Sequence, residues 1–274
     1  MAEAASAALP IGLPFLLEND SIESAAALCQ SLGLAFVELN SNFPACLLPR
    51  LKPGELASLA QTHGCFYTLH LDDSLDPFDL NDAVREASVG TVLRALDIAA
   101  ETGMPIVNIH FPRGNVVTLP DGKHYIYQEY PDEFRETVLA FRTACEKAAA
   151  GSGVLVAVEN TDGWENYELD AISLLLESPV FALTLDIGHD HATGGRDLSF
   201  ILKHQHRLKH MHAHDGRGRV NHQALGTGEI PVLDRLRLAG ETGATVVLET
   251  KTVAALTQSV DYLRGHGLLD AGHG

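Results

Sequence analysis

Residues 155–189 read LVAVENTDGWENYELDAISLLLESPVFALTLDIGH. Leu155–Asn160 is a short apolar run closing on Glu159, and Ala182–Asp186 is a second one closing on Asp186. Between them, residues 168–177 repeat Ala, Ile and Leu at helical spacing. A near-continuous apolar run marks a strand covered on both faces, as in a parallel sheet. Strand, helix and strand in this order form one βαβ unit.

The same alternation extends outward in both directions. Further strand-like runs lie at Ile11–Leu17, Phe36–Asn40, Cys65–Leu71, Ile106–His110, Leu208–His212 and Val246–Thr250, which brings the total to eight. Asp20 with Glu23 resembles a capping box, and Ile22, Ala25, Ala26, Cys29 and Leu32 then form one stripe ending at Gly33. A stripe from Val89 to Ala100 ends at Gly103, and another from Phe134 to Ala148 ends at Gly151. Shorter helices fit 54–62, 168–177, 197–204, 231–240 and 253–264. Eight strands alternating with eight helices predict an α/β fold, a (β/α)8 TIM barrel forming a single domain over residues 1–274. Arg113 to Pro131 is additional to that plan. Val116–Leu119 and Lys123–Tyr127 flank Pro120-Asp121-Gly122, which predicts a β-hairpin insertion after strand four, a lid or a decoration at the barrel mouth.

Composition narrows the function. The chain has 274 residues, 46% of them hydrophobic, with 19 Lys plus Arg against 36 Asp plus Glu, a formal charge of −17. It is too apolar for a disordered chain. No apolar run approaches the roughly 20 residues that span a bilayer. The excess of acid disfavours a nucleic-acid partner, which calls for clustered Lys and Arg. Met1–Pro10 lacks the basic region of a signal peptide, and Cys29, Cys46, Cys65 and Cys145 have no paired spacing. Both features lead us to expect a cytoplasmic protein with reduced thiols. A homodimer is compatible with the sequence.

The strand ends carry the chemistry. Glu38, His70, His110, Glu159, Asp186, His212 and Glu249 stand near the C-terminal ends of strands two to eight. In a barrel those ends converge on the mouth where active sites form. A single acid after a strand is ordinarily a turn former or helix cap. Gathered carboxylates, however, repel one another, and a divalent cation held by oxygen and imidazole ligands offsets that repulsion. Glu38 is the weakest member, because a strand can simply end in a solvated Glu.

The motifs resemble those of the xylose isomerase-like superfamily of sugar isomerases and epimerases, which also contains nucleases of the endonuclease IV type. The resemblance spans nearly the whole chain. It rests on ELN at 38–40, PFDLN at 77–81 after His70, and His110. It continues through VEN at 158–160, LDIGH at 185–189, HAHDGRG at 212–218, LGTGEI at 225–230 and Glu249. In the epimerase pattern it implies one divalent ion on Glu159, Asp186, His212 and Glu249, with His189 holding substrate oxygens. The nuclease pattern adds His70, His110, His189 and His222, plus an acid two positions before His222. That position is Val220 here, so the third site lacks its carboxylate. His70 and His110 leave room for a second ion bridged by Glu159. Mn, Zn and Co suit such ligands, and Mg is also admitted.

These residues predict an isomerase or epimerase of a small keto sugar or sugar-like compound, acting through an enediolate. Glu159 and Glu249, on strands roughly across the barrel, are the expected acid/base pair. Glu38, Trp164, His189, His214 and Arg217 are the candidate substrate contacts. Trp164 equally suits loop packing, and Arg217 with Arg219 equally suits a solvated turn. Tyr125, Tyr127 and Tyr130 are placed on the hairpin, and His210 lies deeper with a structural role. His124, His204, His206, His266 and His273 are read as surface residues. Alternatives on the same scaffold are a metal-dependent phosphodiester hydrolase of the endonuclease IV type and a dehydratase or lyase, because β-elimination begins with the same proton removal.

Overall fold

A computed structural model describes residues 9–270, so most of the Ala-rich start and His273 lie outside the described residues. Eight parallel strands close into a barrel. They are β1 (Ile11–Pro14), β2 (Phe36–Asn40), β3 (Phe66–His70), β4 (Ile106–His110), β5 (Leu155–Glu159), β6 (Phe181–Asp186), β7 (Leu208–Ala213) and β8 (Thr245–Leu248). Each strand pairs with its sequence neighbours, and β8 closes on β1 through Ile11 opposite Val246. The helices between them are α1 (Ile22–Leu32), α2 (Pro53–His63), α3 (Asp82–Thr102), α4 (Pro131–Ala148), α5 (Asn166–Leu176), α6 (Leu198–Lys203), α7 (Val232–Thr242) and α8 (Val253–Gly265). Among the described residues no helix is long and apolar enough to cross a membrane. The four cysteines are free and buried.

Element ends differ from the sequence reading for local reasons. β1 stops at Pro14, which has no N–H to continue the ladder, and Leu17 is exposed. The cap of α1 is Ser21 with Ser24, not Asp20 with Glu23. Ser21 is extended, its hydroxyl accepts from Ser24 N, and the Ser24 hydroxyl accepts from Ser21 N. α4 is capped at Ala149 rather than Gly151.

The insertion after β4 forms the expected hairpin, with Val116–Leu119 antiparallel to Gly122–Tyr125. Its second arm is shorter than expected because Ile126–Glu129 turns helical. Tyr127 therefore leaves the hairpin. Its ring stacks on Phe134 at 4.3 Å and its hydroxyl donates to Asp76 at 2.6 Å. Gly114, at φ 72°, passes so close that a Cβ would lie 2.5 Å from the Tyr127 ring.

Inside the barrel, side chains stack in layers because residues two apart share a face. The floor is apolar. Phe36 stacks on Phe66 at 4.9 Å, beside Gly12, where a Cβ would lie 2.6 Å from the Phe36 ring. Ile106, Ala157 and Ala182 fill the other side. Above the floor the interior turns polar, and the mouth begins.

Candidate metal centre

Four strands deliver one cluster. Ligand atoms of Glu159, Asp186, His212 and Glu249 all lie within 4.8 Å of one another. Glu159 and Asp186 are the last residues of β5 and β6, His212 lies in β7, and Glu249 stands one residue beyond β8. His212 Nδ1 is 3.1 Å from Glu159 Oε1, 3.4 Å from Glu249 Oε2 and 3.9 Å from Asp186 Oδ2. Asp186 also caps the short helix Ile187–Ala192, its Oδ1 accepting from His189 N at 2.6 Å. Asn160 clamps the same strand end, accepting from Asp186 N and donating to its carbonyl.

The electrostatics follow from crowding acids around one imidazole. Burial opposes charge on His212, but Glu159, Glu38 and Glu249 outweigh it and hold the imidazole well above its usual range. Burial likewise opposes ionisation of Glu159 and Glu249, and His212 overrides it, so both stay well below the ordinary carboxylate range. Lys251 reaches Glu249 Oε1 at 2.8 Å, whereas Glu249 Oε2 is buried with no hydrogen-bond donor. A buried, unpartnered carboxylate oxygen facing three other ligand-type groups is what a cation would satisfy. This donor set fits a divalent metal ion.

Glu159 also faces a second group. His70 Nε2 lies 3.2 Å and His110 Nε2 3.5 Å from Glu159 Oε2. His70 Nδ1–H donates to the Leu71 carbonyl at 2.7 Å, which aims Nε2 at Glu159. His70 is pushed up to about 9, burial opposing and Glu159 prevailing. Asp73, absent from the sequence reading, lies 3.9 Å from His70 and 3.7 Å from His110. It sits in a loop three residues after His70, where no spacing rule marks it. Asn108 was also missed. It donates to Glu159 Oε2 at 2.5 Å and accepts from Thr184 at 2.5 Å. Its signal is its place two residues before His110, one layer down on the same face.

The remaining candidates separate. His222, at φ 55°, groups with His214 and Glu249. Such a backbone costs about 1–3 kcal/mol in a non-glycine residue. His189 lies 3.9 Å from Asp186 Oδ2 and belongs to no candidate ligand group among the described residues, so it is not gathered as a ligand. His214 is fully buried behind Asp186, its Nε2 3.1 Å from both carboxylate oxygens. It backs the Asp186 carboxylate from within the barrel. Glu38 is not solvated and not open to substrate. It is 2% exposed beneath His212, 3.0 Å from His212 Nε2 and 2.8 Å from His210 Nε2. Trp164 is no wall of the mouth, because it is buried edge-on against Phe200 at 5.8 Å. Arg217 is exposed on the ribbon Asp215–Arg217. Val220, on the partner strand of that ribbon, is exposed.

A recess of about 350 Å³ opens beside the cluster, lined by Asp73, His110, Arg113, Asp162, Glu168 and His189 among others. A larger cavity of about 1120 Å³ lies at the opposite end of the barrel, around Ile11, Phe66 and Leu236. No strand-end carboxylate or imidazole faces it, so its size carries no functional weight.

The xylose isomerase-like TIM barrel family matches residues 26–266. The chain belongs to this family. Solved structures of the same fold include a D-tagatose 3-epimerase-like protein, with TM-score 0.77 and 20% identity over 94% of this chain and 97% of the other. A 3-keto-D-glucoside 4-epimerase from E. coli gives TM-score 0.74 and 17% identity over 94% and 99%. The IOLI protein with a binding zinc atom gives 0.72 and 14% over 95% and 98%. No curated protein matches the sequence.

Proposed function

We propose that the chain is a divalent-metal-dependent isomerase or epimerase of a small keto sugar or sugar-like compound. The observation that carries this reading is the convergence of Glu159, Asp186, His212 and Glu249 at the mouth, with an unpartnered Glu249 oxygen among them. The likeness of the fold to a D-tagatose 3-epimerase-like protein and to a 3-keto-D-glucoside 4-epimerase supports it. One with a binding zinc atom supports the ion.

When bound, the ion supplies positive charge to substrate oxygens as a proton leaves the neighbouring carbon. The chain's residues do the rest. Asp186 and His212 would hold the ion, Asp186 backed by His214 and clamped by Asn160 and His212 backed by Glu38. Glu159 and Glu249, brought from β5 and from beyond β8, flank the position a substrate carbon would take. One would remove the proton and the other return it: on the same carbon this inverts the centre, and on the neighbouring carbon, with the hydroxyl proton passing to the former carbonyl oxygen, it moves the carbonyl. The recess takes the part of the substrate away from the ion, with His189 as a donor on its rim. Asn108 holds Glu159, so its carboxylate is oriented before substrate arrives.

The test is a panel of ketohexoses incubated with metal-loaded protein in heavy water. Deuterium at a carbon beside the carbonyl is the expected result. Its absence across the panel sinks the proposal. A second reading, phosphodiester hydrolysis with more than one ion, is favoured by His70 and His110 standing beside Glu159 and by Asp73 standing beside both histidines. Metal content by elemental analysis separates the two: one ion per chain favours the epimerase, and three favour the nuclease. A dehydratase would show substrate loss without an epimeric product.

A further inference from the structure

Beneath the mouth lies a closed string of polar side chains that the proposed reaction does not use. Glu38 is buried at the second layer of β2. A lone carboxylate there would be strongly destabilising. Two groups hydrogen-bond it, His210 Nε2 at 2.8 Å and Thr68 Oγ1 at 3.3 Å, and His212 Nε2 stands 3.0 Å from its other oxygen as a charge contact outside hydrogen-bond geometry. His210 is held in turn by Thr245 Oγ1, 2.6 Å from its Nδ1. With the Thr245 hydroxyl donating to Nδ1, the His210 Nε2–H donates to Glu38. The remaining Glu38 oxygen then faces the Nε2–H of His212. With an ion bound, His212 would keep the Nε2–H, and Nδ1, the nitrogen that faces Glu159, Glu249 and Asp186, would be the one to give up its proton.

We infer that Glu38 is the positioning residue of the metal centre: through His212 it fixes which ring nitrogen meets the ion and how tightly the ion is held, with His210 steadying Glu38 from below. The inference rests on the reading that the four-residue cluster holds a divalent ion. It explains why an acid stands where a barrel interior is usually apolar, and why a second histidine lies two residues before His212. A carboxylate behind a ligating imidazole sets ring orientation and raises ligand basicity, and its removal typically costs about 10–100-fold in metal affinity. The same three residues do not read as an ion site of their own. His210 Nε2 already hydrogen-bonds Glu38 directly at 2.8 Å, and Thr245 occupies the other side of His210.

The test is Co²⁺ titration of the full-length, chelator-treated protein, read by its visible d–d bands and by competition with a chromophoric chelator. Glu38→Gln keeps the shape and one acceptor but removes the charge. It should weaken Co²⁺ roughly 10–100-fold and shift the bands. The melting temperature of the ion-free variant serves as the control for folding. A lowered melting temperature with unchanged affinity and bands overturns the inference, since Glu38 would then be merely structural. Loss of a second bound ion overturns it too, since Glu38 would then be a ligand. Should Glu38→Gln fail to fold, His210→Gln must still weaken Co²⁺ severalfold, and unchanged affinity there is equally fatal. If the unmutated protein binds no Co²⁺, the ion-holding reading itself falls, which is distinguishable from failure of the Glu38 variants alone.

Discussion

Glu168 stands in the first turn of α5, 1% exposed, at the edge of the recess. Burial pushes its carboxyl up to about 7, against the N–H of Glu165 and the guanidinium of Arg113, whose Nε is 3.5 Å away. A carboxyl raised on folding favours the protonated form. Its contribution to stability is therefore full below the unfolded value of 4.5 and is lost as pH rises through about 7. The gap between those values corresponds to roughly 3 kcal/mol, at about 1.4 kcal/mol per tenfold change. Glu168→Gln mimics the neutral acid at every pH and still accepts from Glu165 N. Near pH 5 most of that contribution is still present, and the variant and the parent should melt within about 2 °C of each other. By pH 8.5 the variant should melt higher, by about 6 °C if 1 kcal/mol corresponds to roughly 2 °C in a chain of this size. The assay is differential scanning calorimetry of both proteins from pH 5 to 8.5, and only the difference between them matters, because all other titrations cancel. A flat difference would show that Glu168 ionises at its ordinary value and that its burial carries no electrostatic cost.

Three further outcomes are expected. Glu249→Gln should cut deuterium exchange into substrate by about 10²–10⁴-fold while the chain stays folded, as measured by NMR in heavy water. Gly188→Ala should lower both metal affinity and melting temperature, because the new Cβ would lie 1.8 Å from the His214 ring that holds Asp186; isothermal titration of Zn²⁺ reads the first effect. Tyr127→Phe should cost about 1–3 kcal/mol in urea unfolding, since it removes the 2.6 Å bond to the mostly buried Asp76 carboxyl.

The barrel was readable because parallel strands are covered on both faces and advertise themselves as apolar runs. Glu159, Asp186 and Glu249 were readable because an acid at the end of such a run conflicts with burial. The layer below was not, although its signal was present. Thr68, Asn108, Thr184 and His210 each stand two residues before His70, His110, Asp186 and His212, so the strands alternate on their inner face. Outward-facing Leu, Val, Ile and Met masked that alternation, and the runs read as uniformly apolar. Glu38 belongs to this layer, which is why a strand-end reading placed it in solvent or beside substrate. Asp73 and the Asp76–Tyr127 bond escaped for another reason. They depend on how loops cross over the mouth, and no local pattern encodes that.

The hairpin after β4 is fastened at its root and free at its tip. Tyr127 binds Asp76, Arg113 donates to the Gly163 carbonyl, and the Tyr167 hydroxyl donates to the Arg113 carbonyl. Val116, Val117 and Leu119 are exposed. Sequence drift is therefore cheap between residues 116 and 122 and expensive on either side of them. That makes the tip a natural graft point: an epitope, a fluorophore tag or a longer loop can be spliced there without disturbing the rivets that shape the mouth.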